Sequence, residues 1–289
     1  MRYEGRIFRP PSEARSLIVQ ATIGCSHNRC TFCDMYKEKR FRLRDVEDVL
    51  QDLRTAAEHY ASVRRIFLAD GDALIMKAAD LERILLCIRQ HYPNCERVGI
   101  YGSPRSIQLK SPEELRLLFG LGLGIVYLGL ESGSDKILQR VNKGETADQI
   151  VEAGKKVMQA GLLVSVTAIS GLGGKGDWRE HAMETARAFT EMKPNYIGLL
   201  TLMLEGDIPL LKEYQEGRFE LLSPQEVAME TYLMLENMDC EGSVFRSNHA
   251  SNYLSLAGTL NGDKADMLGK LRGALQGEVA FKEEFFRLL

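Results

Sequence analysis

The chain has 289 residues, of which 37 are Lys or Arg and 40 are Asp or Glu, so its formal net charge is −3. This balance excludes a protein that coats polyanions, although a local basic patch remains compatible with it. A hydrophobic fraction of 45% supports a sizeable core, and the length fits one large α/β domain as well as two small ones.

Targeting and membrane signals are missing from the pattern of the sequence. The opening residues, Met-Arg-Tyr-Glu-Gly-Arg, are not followed by the apolar stretch of a secretory signal. No run approaches the ~18 apolar residues of a membrane span. Six cysteines in 289 residues are also too sparse for a disulfide framework. We therefore expect a cytoplasmic protein without membrane partners.

Short β-branched runs alternate with segments of helical period from residue 17 to about 238. Strands are predicted at 17–23, 65–69, 97–101, 125–130, 162–169 and 196–202. Helices are predicted near 46–60, 79–91, 134–139, 146–160 and 180–192, and from Ser111 and Ser223, where a cap residue precedes a proline. Six successive βα units require a parallel sheet with right-handed crossovers, in either a doubly wound sheet or a barrel.

The loop after the first strand carries Cys25, Cys30 and Cys33 with the spacing C-x4-C-x2-C. Three thiolates at this spacing can hold three irons of a [4Fe–4S] cluster. The fourth iron would stay open, because no further cysteine follows within about fifty residues. A structural zinc site, with His27 as a further ligand, and three unrelated buried thiols are the alternatives.

Polar residues also follow the next three predicted strands. The second strand is followed by Asp-Gly-Asp, which includes Gly71 and Asp72 and is also compatible with an ordinary turn. After the third strand, Arg105 could clamp a carboxylate or remain a solvated loop residue. After the fourth, Glu131 is an acid at the end of an apolar strand, which helix capping by the next residues does not explain.

From about residue 239 the alternation stops, so we divide the chain into a domain at 1–238 and a C-terminal segment at 239–289. The polar stretch at 244–253 is too polar for a core strand. It offers four candidate substrate contacts: Arg246, Asn248, His249 and Asn252. The alternative is a capping loop that satisfies exposed backbone. His249 is the one histidine considered as an acid or base, while His59, His91 and His181 are expected on helix surfaces.

The cysteine loop, with Phe32 directly before the third cysteine, and the segment from Tyr127 to Gly144 resemble the radical S-adenosylmethionine (SAM) superfamily. Within it, the stretch from Asp135 to Gly144 resembles the branch that includes the methylthiotransferases and the Elongator catalytic subunit. The resemblance covers about residues 17–205, and it departs at the cysteines, because most members have C-x3-C-x2-C. It implies an open, partial (βα)6 barrel of the TIM type, with its chemistry at the carboxyl ends of the strands and a C-terminal segment closing over the substrate.

The resemblance also implies roles for individual residues. One [4Fe–4S] cluster would be bound by Cys25, Cys30 and Cys33. SAM would be bound by Phe32, Gly71, Asp72, Ser103, Glu131 and Ser132, with Glu131 on its ribose. The substrate would be contacted by Arg105, Arg246, Asn248, His249 and Asn252, and no catalytic residue is assigned.

The implied activity is that of a radical SAM enzyme, a lyase or an oxidoreductase. The reduced, oxygen-sensitive cluster passes an electron to SAM, giving a 5′-deoxyadenosyl radical that abstracts hydrogen from a small polar substrate. A low-potential donor of the flavodoxin or ferredoxin type would be the partner, and nucleic acid is not expected. Family members of about this size include a queuine lyase, which cleaves a modified nucleobase. A non-catalytic Fe–S or haem-binding protein on the same scaffold and a structural zinc protein are the alternatives.

Overall fold

The computed structural model describes residues 1–60 and 62–287 of an α/β protein with ten strands and ten α-helices in these ranges. The strands are β1 Leu17–Gln20, β2 Thr22–Ile23, β3 Arg42–Leu43, β4 Arg65–Ala69, β5 Arg97–Gly102, β6 Leu123–Glu131, β7 Leu163–Ser170, β8 Tyr196–Thr201, β9 Val244–Arg246 and β10 Ala257–Thr259. The helices are α1 Val46–Tyr60, α2 Ala78–His91, α3 Pro104–Gln108, α4 Pro112–Gly120, α5 Asp135–Arg140, α6 Ala147–Gln159, α7 Gly174–Met192, α8 Pro209–Gln215, α9 Pro224–Asn237 and α10 Lys264–Leu275.

Contacts group the chain into two compact units. The first unit comprises Met1–Asn28, Met35–Leu128 and Ala153–Val164. The second comprises Arg29–Asp34, Gly129–Glu152 and the chain from Ser165 onward. The boundary at residues 238 and 239 stays a prediction, based on where the βα alternation stops.

The first unit contains parallel strands in the order β1-β4-β5-β6. These strands are apolar along most of their length, and Ile66, Phe67 and Leu68 of β4 are completely buried. Such runs are typical of parallel sheets that are covered on both faces. A short antiparallel ribbon of β2 and β3 stands at the two ends of the cysteine loop, with Thr22 opposite Leu43.

The second unit contains the order β7-β8-β9-β10, in which β7, β8 and β9 are parallel and β10 is antiparallel to β9. The strands of each unit are therefore mostly parallel. No helix in the described ranges is both long and apolar enough to cross a membrane.

Most predicted elements form at or near the predicted residues. Strand β3 and helices α3 and α8 were not predicted, and three further differences stand out. The predicted strand at 17–23 is split into β1 and β2, which pair with different partners. Helix α7 begins at Gly174, six residues before the predicted start, because it continues directly from the glycine-rich turn after β7. The segment beyond 239 was expected to lack βα elements, but its β9 lies beside β8 and buries Phe245.

Candidate active site

In the first unit, the carboxylate of Asp72 joins two of the predicted site loops to the end of β4. Its Oδ1 accepts a hydrogen bond from the backbone N–H of Ser103 at 3.1 Å. Its Oδ2 accepts from the Ser103 hydroxyl at 2.9 Å and from the Ser26 hydroxyl beside Cys25. The Asp72 side chain is buried. The structure thus brings the cysteine loop and the loops after β4 and β5 together, as the parallel-sheet prediction requires.

Ser103 has a second role, because its hydroxyl also caps α3 in a capping box with Ser106. Both of these uses engage the side chain within the protein. Arg105, the second residue of α3, is exposed. The structure therefore makes Ser103 a connector of the loop and leaves the Arg105 guanidinium on the surface.

Asp70 forms a buried ion pair that closes the cysteine loop on itself. Its Oδ2 accepts hydrogen bonds from the Lys39 ammonium at 2.9 Å and the backbone N–H of Gly24 at 3.0 Å. The Gln20 amide donates to the same oxygen at 2.8 Å. The Asp70 and Lys39 side chains are 0% and 4% exposed. Because Gly24 precedes Cys25 and Lys39 follows Cys33, this one carboxylate holds both ends of the loop.

Gly71 allows the end of β4 to approach the cysteine loop. Its backbone N–H donates to the carbonyl of Gly24 at 3.2 Å. A Cβ atom at Gly71 would lie 2.7 Å from Cε2 of Tyr36 and 3.0 Å from Cβ of Cys25. Only a residue without a side chain fits here, so the sequence-predicted Gly71 is a point of close approach to Cys25.

Cys30 and Cys33 lie in the second unit, on a stretch whose backbone is anchored on two sides. The N–H of Thr31 donates to the carbonyl of Val141 at 2.9 Å, and the carbonyl of Thr31 accepts from Leu210 at 3.1 Å. Phe32 packs against an apolar cluster that includes Val141 and Leu210. The predicted cofactor residue Phe32 therefore anchors the loop by packing.

The three cysteines fit an iron–sulfur cluster by their chemistry. All six cysteines of the chain are thiols, and Cys25, Cys30 and Cys33 are half-buried rather than sequestered in the core. Within residues 1–60 and 62–287, no three His, Cys, Asp or Glu side chains are already gathered around one point. The fit thus rests on three accessible thiols on an anchored loop, a donor set that suits iron.

Glu131 is the last residue of β6 and has a left-handed backbone, with φ of 63°. Its Oε1 accepts a hydrogen bond from the ammonium of Lys143 at 2.8 Å. The carboxylate lies over Gly129, where a Cβ would collide with it. Both charged side chains are about one-seventh exposed, at 14% for Glu131 and 15% for Lys143. The acid at the strand end is thus held by a cation that sequence reasoning did not single out.

The turn after Glu131 is clamped onto α7. The buried hydroxyl of Ser132 is hydrogen-bonded to Nδ1 of His181 at 2.8 Å. The N–H of Gly133 donates to the Thr185 hydroxyl at 2.9 Å, and a Cβ at Gly133 would strike the α7 backbone. The predicted cofactor residue Ser132 is therefore engaged within the protein.

His181 was expected on a helix surface, and this prediction is wrong, because its side chain is fully buried. Burial lowers the pKa of His181 to about 4, so the ring is neutral at physiological pH. The sequence pattern of α7 does not show which of its faces is buried. His181 lies on the same buried stripe as Ala182, Thr185 and Phe189.

Glu230 of α9 is another buried acid that sequence reasoning missed. Its Oε2 accepts hydrogen bonds from the Ser170 hydroxyl and, at 2.7 Å, from the N–H of Gly171 at the end of β7. Burial raises the pKa of Glu230 to about 8, against the opposing effect of these two hydrogen bonds. The available signal was its position on the apolar stripe of α9, beside Val227 and Met234.

Of the four predicted tail residues, Asn252 has a side chain that is hydrogen-bonded within the protein. Its Nδ2 donates to the carbonyl of Leu199 at 2.9 Å, and its Oδ1 accepts from the Thr201 hydroxyl at 2.9 Å. The side chain is buried. The amide therefore fastens the tail to the end of β8.

The other three tail residues are more accessible. Arg246 is an exposed residue of β9 whose guanidinium donates to the carbonyl of Phe245 at 2.8 Å. His249 is half-buried and hydrogen-bonded through Nδ1 to the Ser251 hydroxyl at 2.9 Å, and burial lowers its pKa. Asn248 is exposed. These three side chains keep polar groups at the surface of the second unit.

Comparisons with known proteins show which family the chain belongs to. A family model described as the radical SAM superfamily matches residues 19–188, more than half of the chain. The 4′-phospho-dehydrooxetanocin synthase of Priestia megaterium is 24% identical in a 247-residue alignment that covers 75% of this chain and 33% of that protein. The chain spans about a third of the length of the first curated relatives that it matches.

Solved structures show a related fold. Methylornithine synthase (PylB) superposes with a TM-score of 0.52 and 15% identity, covering 94% of this chain and 84% of that one. Elp3 of Methanocaldococcus infernus superposes with a TM-score of 0.52 and 14% identity, covering 81% and 59%. These similarities confirm the predicted partial barrel.

Proposed function

Because the chain belongs to the radical SAM superfamily, whose members are enzymes that use a [4Fe–4S] cluster and SAM, we propose that it binds one such cluster through Cys25, Cys30 and Cys33 and acts on a small polar substrate. The observation that carries this proposal is the anchoring of the cysteine loop. Asp70 holds both of its ends, and Asp72 ties it to the neighbouring strand-end loop. An ordinary surface loop would not require two buried carboxylates.

When bound, the cluster and SAM together supply radical chemistry that removes hydrogen from a substrate. The residues of the chain would bind and orient the cluster and SAM. The thiols hold iron, Gly71 lets the end of β4 approach Cys25, and Glu131 accepts hydrogen bonds from the ribose of SAM. Phe32, Asp72, Ser103 and Ser132 would support this pocket through the packing and hydrogen bonds that fix their own loops.

The substrate would be contacted by the exposed residues Arg105, Arg246 and Asn248 and by the half-buried His249. Asn252 would act through the position of the tail, because its amide is engaged with Leu199 and Thr201. A modified nucleobase, as in queuine lyase, is the candidate substrate, and the reaction is that of a lyase or an oxidoreductase. The electron donor would be a flavodoxin or ferredoxin, and the compartment the cytoplasm.

Anaerobic reconstitution with iron and sulfide tests the proposal. Wild-type protein should bind about four irons and, after reduction with dithionite, release 5′-deoxyadenosine from SAM. Cys30→Ala should lose most of the iron and all of this product. Cys87→Ala is the matched control, since Cys87 is a buried thiol of α2 outside the loop, and it should keep both. A cluster that forms without SAM cleavage would instead favour the non-catalytic alternative, and an intact cluster in Cys30→Ala would refute the ligand assignment.

A further inference from the structure

One turn of the second unit contacts both the cysteine loop and the acid at the end of β6. In this turn, which follows α5, the carbonyl of Val141 accepts from the N–H of Thr31 at 2.9 Å. The Asn142 side chain donates to the carbonyl of Arg29 at 3.2 Å. The next residue, Lys143, donates to Glu131. Three successive residues thus reach the backbone on either side of Cys30 and the carboxylate of Glu131.

The backbone of this turn is itself fixed. Asn142 has a left-handed conformation with φ of 53°, and the N–H of Lys143 donates to the carbonyl of Leu138 at 2.9 Å. The Lys143 ammonium is therefore presented from a defined position. It lies 2.8 Å from Oε1 of Glu131, and both side chains are largely shielded from water. Shielding strengthens the pair relative to an exposed one.

Lys143 occupies only one of the two carboxylate oxygens of Glu131. In the part of the chain that the structure describes, Oε2 of Glu131 takes no hydrogen bond. A carboxylate held through one oxygen by a fixed cation has its remaining lone pairs directed away from that cation. Glu131 alone would lack this orientation, because its strand ends at this residue and its backbone turns into the left-handed region.

We propose that Lys143 is a positioning residue that orients Glu131 for SAM and links that orientation to the cysteine loop through Val141 and Asn142. The inference rests on the proposed function, since it takes Glu131 to bind the ribose. Lys143 acts through Glu131 and holds one oxygen, which leaves the other to accept from a vicinal diol. Without Lys143, the half-buried carboxylate loses its counter-charge and its direction.

The test is a double-mutant cycle on SAM affinity, measured by equilibrium dialysis with reconstituted, unreduced protein. Glu131→Gln should weaken binding by roughly 10- to 100-fold, the effect of losing hydrogen bonds to a charged acceptor. Lys143→Met should weaken it by roughly 10-fold with iron content unchanged. The double variant should bind no more weakly than Glu131→Gln alone, because non-additivity marks residues that act as a unit. Lys143→Arg should restore most of the affinity.

Lys136→Met is the matched control, since Lys136 lies on neighbouring α5 and pairs with Asp177 as an exposed residue. It should leave SAM affinity unchanged. Unchanged or tighter binding in Lys143→Met, or additive losses in the double variant, would overturn the inference while leaving the proposed function intact. Absence of SAM binding in the wild type would instead refute the proposed function. If Lys143→Met does not fold, Lys143→Gln enters the cycle under the same criteria.

Discussion

Replacing Asp70 with asparagine is expected to release both ends of the cysteine loop at once. The substitution keeps the shape of the side chain but removes the charge that faces Lys39 at 2.9 Å. The Lys39 side chain is only 4% exposed, so its ammonium would remain buried without a counter-charge. Breaking a buried pair by removing one partner costs about 3–5 kcal/mol. We expect a loss near the lower figure, because the asparagine oxygen can still accept from Gly24 or Gln20.

The free energy of unfolding of a domain is typically about 5–15 kcal/mol, so this loss is a large fraction of it. The loss is therefore measurable by urea unfolding of the apoprotein under reducing conditions. Arg64→Met is the control, since it removes an exposed pair with Glu96 and should leave the midpoint unchanged. The double variant Asp70→Asn/Lys39→Met should be more stable than Asp70→Asn, because no buried charge is left. A midpoint for Asp70→Asn equal to that of wild type, or a double variant less stable than either single one, would refute this reasoning.

Two further predictions concern Glu230 and the tail. The folded protein holds a proton on Glu230 up to a pKa of about 8, whereas its ordinary value is 4.5. The free energy of unfolding should therefore fall as the pH rises from about 4.5 to about 8, by at most about 1.4 kcal/mol per pH unit. Glu230→Gln should remove this fall. Stability profiles against pH that run parallel in wild type and Glu230→Gln would contradict the prediction. Arg246→Ala and His249→Ala should keep iron content and uncoupled SAM cleavage but lose about 100-fold in product formation, as misplacement by about 1 Å can. Asn252→Ala should instead lower the melting temperature, because the Asn252 amide bridges Leu199 and Thr201. Full turnover by Arg246→Ala and His249→Ala would indicate that the tail is purely structural.

The sequence by itself was sufficient for the order and most limits of the six predicted βα units. Helix α1 and strand β4 form at the predicted residues, and Ser111 and Ser223 both cap the helices that their motifs predict. These signals are local, because apolar period and capping depend on residues within a few positions of each other. The cysteine spacing and the acid at the end of β6 likewise indicated the family that the comparisons confirm.

The partners of the candidate site residues were decided by the tertiary structure. Lys39 and Asp70 are 31 residues apart, Ser132 and His181 are 49 apart, and Gly171 and Glu230 are 59 apart. No local pattern joins such pairs, since each forms only where the sheet and its helices bring distant segments together. For the same reason, Ser132 and Asn252, which look like ligand contacts in the sequence, already have partners inside the protein. The sequence therefore indicated which loops carry polar residues, and packing decided which of those residues are left to bind anything else.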